Sequence, residues 1–177
     1  MPLNSSTLMT LFDKAAMDAR AHKYRLEQHL SAPATQTELD ALQECIPFAL
    51  ETSFLDFLRI ANGAELDLMV PIEAIEYNEP CHIWGSRCVE RSYQTQIVGD
   101  QSRPRLVLFG KLDADYVAFD PRQQRGGCAA VVFVDHDNYE AAYYDAPIAG
   151  SFEEWLRRTL QSVSNGRFEY WIEPDNR

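Results

Sequence analysis

Apolar residues recur along this chain with two different periods, and the change from one to the other separates a helical first part from a strand-rich second part. Near the start, Leu8, Phe12, Ala15, Ala19, Leu26 and Leu30 recur at three-, four- and seven-residue spacings. That spacing puts them on one helix face, and Ser5 or Ser6 is suited to cap the helix. Residues 31–37 (SAPATQT) have linker composition, with Pro33 among small polar residues, and predict a short, mobile connection. The expected organisation is a single globular domain, with a helix and linker over residues 1–36 packed on a main body of residues 37–177.

Thr37 is placed to cap a second helix carrying Leu39, Leu42 and either Cys45 or Ile46. Pro47 marks a fresh helix start, because its missing N–H costs nothing in a first turn. The next helix turns Phe54, Phe57, Leu58 and Ala61 to the core and stops at Asn62-Gly63, a pair suited to a left-handed C-cap. Residues 66–70 alternate imperfectly as a strand, and Pro71 is expected to open a short helical turn with Ile72 and Ile75. Between Tyr77 and Pro104 no period persists, although residues 81–84 and 93–98 are readable as edge strands. Irregular stretches of this length often carry binding residues.

The period then shortens to that of strands. Residues 106–110 (LVLFG), 116–121 (YVAFDP) and 131–137 (VVFVDHD) read as three strands, separated by Asp113-Ala114-Asp115 and by a Pro- and Gly-containing turn at 121–127. Four successive apolar residues from Val131 to Val134 predict burial on both faces and a place near the sheet centre. Residues 138–144 are expected to return as another strand. Ser151-Phe152-Glu153-Glu154 is a capping box, and Phe152, Trp155, Leu156 and Leu160 give its helix a buried face. Asn165-Gly166 ends that helix, and residues 168–172 read as a last strand. The fold class predicted is α+β, with helices packed around a mostly antiparallel sheet. Phe57, Leu58, Phe109, Phe119, Phe133, Phe152 and Leu156 are expected in its core.

Length and composition fit this picture. A chain of 177 residues is long enough to bury a real core as one domain. There is no basic and apolar leader near Met1, and no apolar run reaches the roughly 18 residues of a membrane span, so a cytosolic monomer is the default expectation. Cys45, Cys81, Cys88 and Cys128 are too sparse for a disulfide framework and read as mostly buried, reduced thiols.

Charge changes the picture because it is local. Residues 37–80 hold ten acids (Glu38, Asp40, Glu44, Glu51, Asp56, Glu65, Asp67, Glu73, Glu76, Glu79) against Arg59, a net of −9 out of −11 for the whole chain. Residues 111–150 add a further −4, whereas residues 1–30 and 81–110 are slightly positive. Such a field disfavours nucleic acid and speeds encounter with a basic partner; a solvated acidic surface that keeps the chain dispersed is the plainer alternative.

Catalytic motifs are missing from the sequence. Neither G-x-x-x-x-G-K-[ST] nor G-x-G-x-x-G occurs, and Ser86, Ser92 and Cys81 lie in no nucleophile elbow, with His22, His29, His82 and His136 as unanchored bases. Asp113, Asp115, Asp120, Asp135, His136 and Asp137 offer oxygen ligands for a hard cation, but without the calcium-loop spacing. Cys81, His82, Cys88, Cys128 and His136 are zinc-ligand types at the wrong intervals. No metal or cofactor is therefore predicted. Trp84 lies outside any clear apolar period, between Glu76 and Glu79 on one side and Arg87 on the other. It reads either as an interface anchor or as a plug at the sheet edge.

The ordered set Ile46-Pro47, Phe57-Leu58, Asn62-Gly63, LVLFG, YVAFDP, VVFVDHD and SFEEWL, spanning residues 37–160, resembles the SUKH superfamily. Ile46 stands where leucine is commoner in that pattern, and the acid expected after Asn-Gly is displaced to Glu65. The resemblance implies the same α+β architecture and, since many bacterial members are immunity proteins that neutralise polymorphic toxins, a binding protein rather than an enzyme. Asp120 and Asp135 look like strand-end residues whose carboxylates accept turn N–H groups. The partner implied is a cognate toxin, basic and nuclease-like given the acidic segment, with Glu65, Asp67, Glu73, Glu76, Glu79, Trp84, Asp113 and Asp115 as the binding residues to test. A regulatory scaffold on the same fold, and a metal-dependent hydrolase using the Asp113 to Asp137 carboxylates, are the alternatives.

Overall fold

The computed structural model describes residues 3–73, 75–95, 105–125, 128–135 and 147–168. In chain order the elements are α1 (Ser5–Ala21), β1 (Arg25–Leu30), α2 (Gln36–Cys45), α3 (Thr52–Ile60), β2 (Ala64–Ile72), β3 (Ile75–Ile83), α4 (Ser86–Thr95), β4 (Val107–Leu112), β5 (Asp115–Arg125), β6 (Cys128–Val134) and α5 (Phe152–Gln161), which runs into a 3-10 turn (Ser162–Asn165). The strands form one antiparallel sheet in the order β1-β2-β3-β4-β5-β6. This is the α+β class that the change of period predicts.

The first helix is shorter than the periodicity implies. Asn4, not Ser5 or Ser6, caps it by accepting from Thr7 N at 2.9 Å, and Leu8, Phe12, Ala15 and Ala19 are buried as expected. Leu26 and Leu30 belong instead to β1, which pairs in register with β2 from Arg25–Met69 to Leu30–Ala64. The chain breaks at Lys23, whose φ of 66° is left-handed, and then runs back along the sheet. The linker is pinned rather than mobile: Ser31 N donates to Gly63 O, Ala34 N to Leu58 O, and Asn62 N to Ala32 O. Its last residues serve α2, where Thr35 (not Thr37) and Glu38 make a reciprocal capping box.

Pro47 does not open the third helix. Glu51 caps α3, and the pair Asn62-Gly63 does more than end it. Gly63 has a φ of +112°, and Asn62 Oδ1 accepts from Ser86 N at 2.6 Å, capping the start of α4. A Cβ on Gly85 would lie 2.3 Å from Asn62 O, so the close crossing of these two loops needs glycine there. The segment read as edge strand around Tyr93 is part of α4, which buries Ser86 and Val89.

Pro71 likewise starts no helical turn, since β2 continues through it to Ile72 and returns directly as β3. The strand around Cys81 is thus interior, between β2 and β4. Asp113 forms the next turn with a φ of 53°, and β5 extends to Arg125, further than the Pro121 turn signal implies. The register slips between Asp120 and Gln124, where buried Asp120 accepts from Arg122 N and, bidentately, from its guanidinium; the carboxylate takes a backbone N–H as the resemblance implies, but at a slip within β5 rather than at a strand end. Among the described residues β6 is last in the strand order rather than central. It is nonetheless buried on both faces, and Val131 exchanges backbone hydrogen bonds with Ala149. The strands expected over 138–144 and 168–172 fall mainly outside the described residues.

One sheet face and the helices share the main core. Phe54, Phe109, Phe119, Phe152 and Trp155 meet there at ring-centroid distances of 4.4–5.7 Å, and all seven predicted core residues are buried. Ser151 caps α5 as expected, but Glu154 reaches Gly150 N instead of closing the box on Ser151. The α5 start is also tied to α3, because Phe152 N donates to the Glu51 carboxylate at 3.1 Å and Glu153 N to Ser53 Oγ at 3.0 Å. On the other face Leu108, Ala118, Val132 and Val134 form a second small cluster with Trp84, Leu106 and Tyr116.

Candidate functional site

The acidic segment divides between α2 and α3 (capped by Glu51), which carry its acids up to Asp56, and the β2–β3 ribbon, where strand alternation sets the remaining carboxylates on two faces. On the face away from the helices, cross-strand rows set His29, Glu65 and His82 together, then Glu27, Asp67 and Pro80, then Arg25, Met69 and Asn78. Arg25 is held among acids, 2.8 Å from Glu27 and 3.3 Å from Glu76. Asn78 Nδ2 donates to Asp67 at 3.0 Å. Glu65, Asp67 and Glu76 thus share one surface, with Arg25 engaged by two of its acids.

Glu79 lies on the other face, paired in register with Leu68. Asp113 N donates to Pro80 O at 3.0 Å, which brings the Asp113 turn beside it. Burial raises the Glu79 carboxyl above its ordinary value, the Asp113 charge adds to this, and Arg167 opposes it. The same two acids, Glu79 foremost, hold the Tyr77 phenol up. The Tyr77 shift reports chiefly the neighbouring negative charge and the Glu79 shift chiefly burial. Asp115 is partly buried at the start of β5, opposite Leu112.

Glu73 sits at the hairpin end with a φ of 56°. This end outruns its neighbours, because β1 pairs with β2 only as far as Met69 and β4 pairs with β3 only from Cys81 onward. From Val70 to Tyr77 the two strands are therefore paired with each other alone among the described residues. Ile72, Ile75 and Tyr77 are exposed there at 55%, 73% and 45%. These three residues were not legible as a site, since Pro71 masks the period-2 pattern Leu66, Leu68, Val70, Ile72 that would have found them. Proline is tolerated at strand edges, and Pro71 lies just beyond the reach of β1.

Trp84 lies at the opposite end of β3 from Glu73 and Glu76. It is partly buried, donates its backbone N–H to Phe109 O at 2.8 Å and meets the Tyr116 ring edge-on at 5.9 Å. The structure therefore does not bring Trp84 together with the hairpin acids.

The metal-ligand types are scattered. Asp120, within β5, is occupied by Arg122, while Asp113 and Asp115 stand at the β4–β5 turn; His136 and Asp137 lie outside the described residues. Cys81 and His82 are neighbours on one strand and so point to opposite faces. Cys81 is buried, and desolvation, followed by the charge of Asp67, drives its thiol well above the ordinary range. Cys88 is exposed and Cys45 half-buried, so the thiols are less uniformly buried than expected; the Cys128 side chain lies outside the described residues. Among the described residues no three His, Cys, Asp or Glu side chains gather as a metal site. Ser86 is buried under the Asn62 cap, and His22 Nδ1 is 2.9 Å from Asp18 O. No described helix is long and apolar enough to cross a membrane.

What the arrangement offers is a surface for recognition: fixed carboxylates on two faces of a ribbon whose end is apolar and exposed. No curated protein matches the chain. Residues 33–158, from the linker through most of α5, match the family model described as the SMI1 / KNR4 family (SUKH-1), and the chain belongs to that family.

Proposed function

We propose that this chain is an immunity protein that binds and neutralises a cognate toxin in the cytosol, and that the toxin domain is basic, as a nuclease domain would be. Family membership supports an immunity-type role. The observation that carries the choice of partner is the clustering of Glu65, Asp67 and Glu76 on one open sheet surface, with Glu73, Glu79 and Asp113 around the adjoining hairpin end. Carboxylates held on a sheet are pre-positioned, so they steer a basic protein without first being ordered. Trp84 is assigned to packing, on the strength of its contact with Tyr116. Asp115 lies at the periphery of the proposed surface.

The reading is tested by association kinetics with the product of the adjacent upstream gene, the candidate toxin, measured across ionic strength. Association should slow as salt rises, and Glu65→Lys, Asp67→Lys and Glu76→Lys should lower the on-rate and flatten its salt dependence. Salt-independent association, unchanged in these variants, would place the interface elsewhere.

A further inference from the structure

The apolar face of β2 and β3 does not end where the core ends. Leu66, Leu68 and Cys81 are fully buried beneath the helices. Val70 is partly buried against the same core, and the next positions on this face, Ile72 and Ile75 (directly paired) and Tyr77 (paired with Val70), are exposed. The ribbon thus carries an apolar ridge outward past the last residues that β1 and β4 pair with. Exposing two isoleucines and a tyrosine side by side is unfavourable in water, at about 25 cal/mol for each Å² left uncovered. Contiguous patches of this kind commonly mark interaction sites.

Charge decides the occupant. Glu79 follows Tyr77 on this same face, Glu76 lies between Ile75 and Tyr77 on the opposite face, Glu73 sits at the turn, Asp113 stands beside Glu79, and among the described residues the bases near these acids are Arg25, already shared between Glu27 and Glu76, and Arg167 near Glu79. A second copy of this chain docked end to end would set these acids against one another. A lipid surface with anionic headgroups would be repelled in the same way. We infer that the free end of the β2–β3 hairpin is the anchor of the interface, with Ile72, Ile75 and Tyr77 entering an apolar depression on the partner protein whose rim carries lysine or arginine for Glu73, Glu76 and Glu79. This rests on the immunity reading and adds to it a division of labour: the carboxylates govern encounter, and the apolar end governs residence.

The experiment is kinetic binding to the product of the adjacent upstream gene, the candidate toxin, using the full chain, an Ile72→Ser/Ile75→Ser variant, a Tyr77→Ala variant and a Met17→Ser control. Met17 is 69% exposed on α1, away from the ribbon. Because the substituted side chains are exposed, thermal melts of all the variants should match that of the original chain. The expected result is an off-rate raised about tenfold or more in both hairpin variants, an on-rate within about twofold, and no change in the control. Tight binding of the original chain with off-rates unchanged in the hairpin variants overturns the anchor while leaving the immunity reading intact. An equal rise in the Met17→Ser control also overturns it. Failure of the original chain to bind overturns the immunity reading, and the anchor with it.

Discussion

Glu51 joins two helix starts, and its removal should weaken both. Its buried carboxylate accepts from Ser53 N at 3.2 Å in the first turn of α3, from the Ser53 hydroxyl, and from Phe152 N at 3.1 Å in the first turn of α5. Two helix N-termini therefore direct N–H donors and the positive ends of their dipoles at one anion. In Glu51→Ala the Phe152 and Ser53 N–H groups lose their acceptor out of reach of bulk water, at about 1–3 kcal/mol each, and the favourable dipole interaction is lost as well. A total of about 3–4 kcal/mol is expected, equivalent to roughly 10 °C in Tm for a chain of this size. Glu51→Gln retains one acceptor oxygen and should cost about 1–2 kcal/mol. Urea unfolding followed by tryptophan fluorescence measures both, and a double-mutant cycle with Ser53→Ala should be non-additive because the Ser53 hydroxyl donates to the Glu51 carboxylate while each accepts an N–H from the start of α5. If Glu51→Ala falls within about 1 kcal/mol of the original chain, or if Gln proves as damaging as Ala, the shared-cap reasoning is wrong.

Two other outcomes follow from the packing and charge described above. Phe119→Ala, which empties a fully buried ring stacked 4.4 Å from Phe109, should lose about 3–5 kcal/mol in the same urea assay; unchanged stability would contradict the β5 assignment. Glu79 has its carboxyl raised by burial and by Asp113, so ionising it costs the folded state: the associated stability is complete below the unfolded value and is lost as pH rises through the folded one. Glu79→Gln should accordingly be the more stable form at neutral pH, with its advantage vanishing as pH falls below the ordinary value of 4.5, as checked by melts over that range.

Much of the fold was legible because strong signals agreed. The four apolar residues from Val131 to Val134, the Ser151 cap and the Phe54, Phe57, Leu58 face each have one physical reading, and the structure follows it. Val131–Val134 misled only on position, since burial on both faces does not require a central strand when Ala149 pairs with the outer edge. The first helix was overextended because Leu26 and Leu30 keep a helical spacing from Ala19 while also fitting the period-2 face of β1. No glycine or proline marks the break at Lys23, and only tertiary pairing with β2 decides it. Pro71 was misleading for the converse reason: a breaker in a ribbon that outruns its neighbours breaks nothing. As for the site, local charge showed which segment was acidic, but register alone determines that Glu65, Asp67 and Glu76 share a face while Glu79 turns toward Asp113.

If the chain acts by sequestering a partner protein, inhibition must be stoichiometric, which a titration shows. A fixed amount of the product of the adjacent upstream gene, the candidate toxin, is assayed for its toxic activity as the chain is added. The account predicts a linear loss reaching zero at equimolar chain, with a one-to-one complex on gel filtration. Full activity in the presence of excess chain would contradict it. So would complete loss at a small fraction of equimolar chain, which would mark turnover rather than sequestration.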